Sequence, residues 1–451
     1  MNQAENVKDG TVVRWVVIIA AAIIIGGVVA GNLSSYVLRT QPTAREQIAT
    51  IPEKWEFTAT GAITGALALG DDGTLYAASE DGFVYALDSS GSLQWKFNVG
   101  PMLAGPTIDT DGTIYVSNKE EGTYAINRSG TQQWAVESGP YADKSVRVTS
   151  ALDQDRLYTP WRGQMRAIRL GSRASDWSAA GFQTDGSVAI LPNGLIVYPG
   201  VGRMNAVDSM GRTVWQYPVM DPPLSVDMIL KNGGQVPAGN FWLDSGIAVG
   251  ADGTLYACAV DEPGGERRVD SRLVALAPDG TYKWEFKTKT LSFNRATPVI
   301  ATDGTVYFGS GDGMLYALSS DGTQRWAVNT GGAIVATMLA EDGTIYVLNI
   351  DALIAVSPEG KLLTTNPIAG ILEPPRTQVI MASVEQRKVL TKTPFIERVE
   401  SSPTLAPDGT IYVGSHGGNV MAFAGTHGGL MHSPWPKFQG DIANSGRSRP
   451  F

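Results

Sequence analysis

The chain has three histidines, His416, His427 and His432, and all of them sit near its C-terminal end. Three imidazoles are enough for a catalytic zinc whose fourth position stays open to water or substrate. The stretch carrying them is glycine-rich rather than helical, and no carboxylate is placed to orient the rings, so no metal site is expected. "DTDGT" (109–113) has the opening residues of a calcium loop but lacks the bidentate Glu at the required distance downstream. The same Asp-Gly pair recurs along the chain ahead of strand-like runs, where it reads as a hairpin turn. There is no serine nucleophile elbow, phosphate-cradling loop or dinucleotide fingerprint. The triplets Asn32-Leu-Ser and Asn127-Arg-Ser match a glycosylation acceptor, a pattern too short to carry weight. No catalytic residue and no cofactor is expected.

Composition narrows the class. Of 451 residues only 18% are charged, and 52 are glycine, which suits many tight turns between short strands. A formal net charge of −9, with no basic stripe, argues against nucleic acid as a partner. Cys258 is the only cysteine, which rules out an intrachain disulfide and any Cys-based zinc site.

The N-terminus stands apart from the rest. After a short tail (1–11), the segment 12–33 reads "VVRWVVIIAAAIIIGGVVAGNL", with no charge between Arg14 and Arg39. That is close to the ~20 apolar residues a helix needs to cross a bilayer. Trp15 and Tyr36 flank it, as interfacial aromatics do. A cleaved signal peptide is the alternative, although the apolar run exceeds the usual length of ~7–15 residues for such a core. No cysteine follows the run, so a lipoprotein anchor is not expected. The reading is a single-pass membrane protein, with residues 34–53 as a linker. Lys8 and Arg14 before the span are matched by Arg39, Arg45 and Lys54 after it, so charge counting leaves the orientation open.

From residue 54 one phrase repeats. An Asp-Gly turn opens a strand-like run ("TLYAAS", "TIYVSN", "TVYFGS"), and a second run follows ("FVYALD", "GTYAIN", "MLYALS"). A further turn leads to a Trp-bearing run ("LQWKF", "QQWAV", "QRWAV"), and an apolar stretch precedes each unit. Four short antiparallel strands per unit describe a propeller blade. The third residue past the turn glycine (past Asp155 in the third copy) marks eight copies: Tyr76, Tyr115, Tyr158, Val197, Tyr256, Tyr307, Tyr346 and Tyr412. The commonest spacing is 39 residues, near the ~40–45 of familiar blades. Trp95, Trp134, Trp177, Trp215, Trp284 and Trp326 recur at the outer strand and are expected to pack between neighbouring blades. Copy seven has "SPEGKLLTT" where Trp is expected, so its outer strand should pack differently. Copy eight lacks its own Trp strand, whereas "KWEFTATG" (54–61) has no preceding strands. Ring closure with Trp55 supplying the outer strand of blade eight resolves both oddities, and it removes the exposed edges. The expected architecture is an all-β, eight-bladed propeller over 54–434, with a C-terminal tail at 435–451.

"YALDSSGSLQW" and "YALSSDGTQRW" resemble the pyrroloquinoline-quinone-like (PQQ-like) repeat, and "SPWPKFQGDIANSGRSRP" is similar to a Trp-Pro-x-Phe…Gly segment common at the ends of such chains. The resemblance covers roughly residues 54–449 and implies the propeller fold. On function it implies two branches. Several groups of quinoprotein dehydrogenases hold the quinone against a vicinal disulfide, which a chain with Cys258 alone cannot form. Nor can a Glu/Asn/Asp set be assigned that would hold that branch's calcium and supply its base. The other branch resembles the propeller subunit of the bacterial outer-membrane protein assembly machinery, a lipoprotein scaffold that binds proteins. A sensor binding a ligand in the central channel is a third class.

Specificity is then expected where the repeat is interrupted, at 220–245, 261–271 and 371–400. The last stretch places Val379, Ile380 and Met381 beside Arg376, Arg387 and Lys388, a mixed apolar and basic surface suited to a protein partner. The sequence therefore points to a membrane-anchored, non-enzymatic propeller that binds protein partners outside the cytoplasm, in the periplasm or at the cell surface.

Overall fold

The structure is a computed structural model that describes residues 50–447, except 103, 119–121, 137–148, 162–163, 181–186, 201–202, 219–239, 244, 263–269, 292–295, 369–400, 426–427 and 442–443. The expected membrane span at 12–33 and the 371–400 stretch lie outside the described residues. Every regular element described is a strand, and among the described residues no helix is long and apolar enough to cross a membrane.

The strands form eight antiparallel sheets, which are the blades of a propeller. Blade one runs Ala68–Leu69, Leu75–Ala78, Phe83–Leu87 and Leu93–Asn98, from the axis outward. Its innermost strand is two residues long and its outermost six, as a wedge converging on an axis requires. Blade eight takes Thr404–Leu405, Thr410–Gly414 and Asn419–Ala424 from the end of the chain, and Glu53–Thr58 from its beginning. Trp55 pairs with Ala422, so the ring closes as the sequence predicts.

The repeated phrase builds one row of side chains per blade. Tyr76 pairs with Ala86, and Ala86 with Trp95, so a small residue lies between two rings. The rings meet over it, with centroids 5.7 Å apart. The same Tyr–Ala–Trp row recurs with Tyr115 and Trp134, Tyr158 and Trp177, Tyr256 and Trp284, Tyr307 and Trp326, and Tyr412 and Trp55. A bulkier residue at the alanine position would separate the rings and remove a contact typically valued at about 0.5–1.5 kcal/mol.

The indoles also reach the next blade. Trp55, Trp95, Trp177, Trp215, Trp284 and Trp326 donate Nε1–H to carbonyls of Ser89, Arg128, Ser209, Pro278, Ser320 and Pro358, at 2.8–3.0 Å. Each accepting residue lies two positions before a turn glycine with positive φ, such as Gly91 (φ 83°) against Trp55. A Cβ on Gly91 would come within 2.6 Å of that indole, so the turn requires glycine for both its conformation and its closeness. Trp134 differs. The turn it faces in blade three carries Arg173 in the left-handed conformation (φ 58°), and Trp134 instead packs against Leu152, Leu157 and Leu170.

At the axis, small residues let eight strands converge. A Cβ on Gly105 would lie 2.2 Å from the carbonyl oxygen of Ala66 on the neighbouring inner strand. Hydroxyls stitch other inner strands together: Gly246 N–H donates to Thr297 Oγ1, Ile247 N–H to Ser187 Oγ, and Thr107 Oγ1 to Ser150 O. These bonds satisfy backbone groups that a two-residue strand leaves without ladder partners.

Candidate functional site

Up-and-down strands give the ring two unlike ends. At one end lie the turns joining first to second strands and third to fourth strands. These are short and alike: Asp72, Asp111, Asp252, Asp303, Asp342 and Asp408 each accept a hydrogen bond from the N–H of the Thr two residues on. This is the role of the Asp-Gly-Thr phrase, and it covers "DTDGT" as well, since Asp111 caps Thr113. Asn127 acts likewise, accepting from Ser129 N and Thr131 N.

At the opposite end lie the second-to-third turns and the links from one blade to the next. All three long interruptions of the repeat join the ring there. The 220–245 stretch lies between the last strand of blade four and the first of blade five, and 371–400 between the last of blade seven and the first of blade eight. The 261–271 stretch connects the second and third strands of blade five and includes their ends. Blade five is also drawn out toward this end. Its strands Leu255–Glu262, Asp270–Leu276 and Tyr282–Leu291 are longer than their counterparts in blade one, and a fifth strand, Asn240–Leu243, pairs with Ala259–Glu262. Arg272 on this extension is buried and paired with Glu285 at 3.3 Å.

Polar side chains order the described turns of this end. The Asp81 carboxylate accepts from Thr60 N, Thr60 Oγ1, Phe83 N and Tyr85 Oη. Burial alone would raise its pKa, but the hydrogen bonds from Tyr85, Phe83, Thr60 and Ser79 outweigh burial and hold it below the usual carboxylate value. The Tyr85 hydroxyl is pushed up to about 12, by burial first and then by Asp81. Asp312 repeats the arrangement with Met314 N and Tyr316 Oη.

The tight-turn end is closed by the chain itself. Past residue 434 the segment expected as a tail runs across the axis, with Trp435, Lys437, Gln439 and Asn444 fully buried. Ile300 N donates to Trp435 O, Leu339 N to Pro436 O, Leu152 N to Ser445 O and Ile190 N to Gly446 O. Asn444 Nδ2 reaches Leu67 O and Pro106 O, and Gln439 Nε2 reaches Thr149 O. Sequence reasoning missed this cap. Its one sequence signal was Lys437 embedded between Trp435-Pro436 and Phe438, an apolar setting unusual for a surface lysine.

Of the candidate residues, the seven tryptophans sit on outer strands in the contacts given above. Arg376, Val379, Ile380, Met381, Arg387 and Lys388 lie outside the described residues, as does His427. His416 and His432 are described, and no cluster of metal-ligating side chains occurs among the described residues.

The solved structure of BamB from Moraxella catarrhalis superposes with a TM-score of 0.59 at 17% identity, over 83% of this chain and 100% of that one. The computationally designed Ika8 protein superposes with a TM-score of 0.57 at 12% identity, over 81% of this chain and 97% of that one. At such identities both show the fold alone. A curated relative, "Uncharacterized protein YxaL" of Bacillus subtilis (strain 168), is 43% identical over 54 residues, which is 12% of this chain and 13% of that protein. The match thus spans only a small part of that relative's length. The profile of the family described as "Outer membrane protein assembly factor BamB" matches residues 48–192 and 200–442, and with most of its length so matched the chain belongs to that family.

Proposed function

We propose that the protein is a non-enzymatic scaffold that binds a protein partner at the end of the ring carrying the interruptions. The observation that carries this reading is the asymmetry of the two ends. Departures from the repeat gather at one, while uniform turns and the chain's own C-terminal segment occupy the other. Family membership supports a role in protein assembly. A rigid ring with variable loops at one end suits binding, because the loops change specificity without disturbing the strands.

The finer parts of the proposal concern the membrane. Residues 12–33 anchor the chain as a single span, and the ring works outside the cytoplasm. The described chain enters the ring at the tight-turn end, where Pro52 O accepts from Ala424 N, opposite the end where the interruptions join the ring.

The quinone-dependent reading loses support from the cap, because Trp435, Lys437, Gln439 and Asn444 fill the axis at the tight-turn end. Quinone and calcium added to the purified protein should support no dye reduction with alcohols or sugars. For the scaffold reading, photo-crosslinking side chains at Glu80 and Asp351 should capture a partner in membranes, whereas those at Asp279 and Asp342 should not. Capture only from the latter pair would reverse the assignment of ends.

A further inference from the structure

We propose that the C-terminal segment, described over 428–441 and 444–447, is a proton-sensitive latch on the ring, with the Lys437 amine as its sensor. The segment touches every blade. Its carbonyls accept from inner-strand amides of blades three, four, six and seven, and Asn444 reaches blades one and two. Phe438 lies against Gly246 of blade five, and Gly429 against Pro407 of blade eight. Glu53–Thr58 pairs within the sheet of blade eight and touches blade one through Trp55, whereas this segment contacts all eight blades.

Lys437 sits at the centre of that arrangement, fully buried. Its Nζ donates to Asp441 O at 3.1 Å and to Asn444 Oδ1 at 2.5 Å. The amide it orients is therefore the one that ties the segment to Leu67 and Pro106. A neutral amine makes both bonds with its two hydrogens. A further proton adds a third N–H and a full charge to a fully buried site, which is costly unless the segment loosens. Among the described residues, few charged groups lie around it. The Asp441 carboxylate is turned toward Ser445 N and Oγ, Arg447 pairs with Asp153 of blade three, and Glu341 of blade seven lies beside Gly428. The inner-strand residues bonded to Asn444 and Gln439 are Leu67, Pro106 and Thr149, none of which titrates.

Burial pushes the amine down to about 7, with Asp441 opposing, whereas in a released segment it would return to the ordinary 10.5. Between those values the released state binds more protons than the seated one. Release therefore becomes easier as pH falls through that window and levels off below its lower edge.

Amide hydrogen exchange on the full-length protein, corrected for intrinsic rates, tests this at Leu152, Ile190, Ile300 and Leu339, whose N–H groups donate to the segment. Their protection should fall by more than about tenfold from pH 9 to pH 7, and Lys437→Met should abolish that dependence. A flat wild-type profile, or an unchanged slope in Lys437→Met, would overturn the proposal. Should that variant fail to fold, NMR of wild-type protein carrying 13Cε-lysine decides the matter. One lysine titrating well below the others supports the latch, and all of them titrating near the ordinary value refutes it.

Discussion

Asn366 and Ile51, 315 residues apart in the chain, clasp each other through two hydrogen bonds, Asn366 Nδ2 to Ile51 O at 2.6 Å and Ile51 N to Asn366 Oδ1 at 2.8 Å. Asn366 lies on the outer strand of blade seven, whose residue in the tryptophan position is Thr364, paired with Ala355. The reason lies in blade eight. Its third and fourth strands come from opposite ends of the chain, so no turn joins them and no turn glycine awaits an indole. Ile51 fills that seam instead, packed with Tyr346, Ala355 and Ile368.

Two substitutions separate the halves of ring closure. Trp55→Ala should cost about 3 kcal/mol or more, as for other emptied aromatic sites. Asn366→Ala should cost about 1–2 kcal/mol, the value of two lost, partly buried hydrogen bonds. Urea denaturation of the soluble ring measures both, and an unchanged midpoint for Trp55→Ala would mean that the first strand does not close the ring.

The turn glycines give a paired test. A Cβ on Gly322 (φ 87°) would lie 2.7 Å from the Trp284 indole, while one on Gly304 (φ 79°) would meet nothing nearer than Ser320 Cβ at 3.8 Å. Gly304→Ala should cost about 1–2 kcal/mol for the left-handed backbone alone. Gly322→Ala should cost clearly more, because the indole must also move. Equal losses would show that the tryptophan contact adds nothing.

Much of this was legible in the sequence, because each copy of the phrase solves the same local problem. The Asp-Gly-Thr phrase of Asp72-Gly73-Thr74 is a turn wherever it occurs, and Tyr76 and Trp95 recur because six of the eight blades build the same row. What could not be read was contact between distant parts of the chain. Asn366 is an unremarkable residue in "LLTTNP" until Ile51 arrives from the other terminus. The cap was hidden for a similar reason, since a segment that crosses the axis has no period of its own and each of its partners lies on a different blade. The residues of 371–400 proposed to bind a partner belong to no repeat, so neither periodicity nor the ring specifies their role.

Acid should weaken the blade-one turn that Asp81 orders. Asp81 holds four hydrogen bonds as a carboxylate, and its folded pKa lies below the ordinary 3.8. Its contribution is thus complete above that unfolded value and is lost as pH falls through the folded one. Asp81→Asn should lower the melting temperature at pH 7 and show a weaker decline than wild type below pH 4. Parallel acid profiles for the two proteins would remove Asp81 from the account.

The proposed anchor predicts that full-length protein resists alkaline carbonate extraction, while a chain starting at Ala49 is soluble and folded. The cut must precede Ile51, which belongs to the seam with blade seven. Full-length protein with an intact N-terminus released by carbonate would contradict the anchor.

The central claim is that the ring binds through what departs from its repeat. Replacing residues 371–400 with a short Gly/Ser turn tests it most directly, since both attachment points lie at one end of the ring and loop length itself costs little stability. Cross-linked partners should be recovered from membranes with the wild-type ring and largely lost with the shortened one, whose melting temperature stays close to wild type. A shortened ring that folds and recovers the same partners in equal yield would contradict the account.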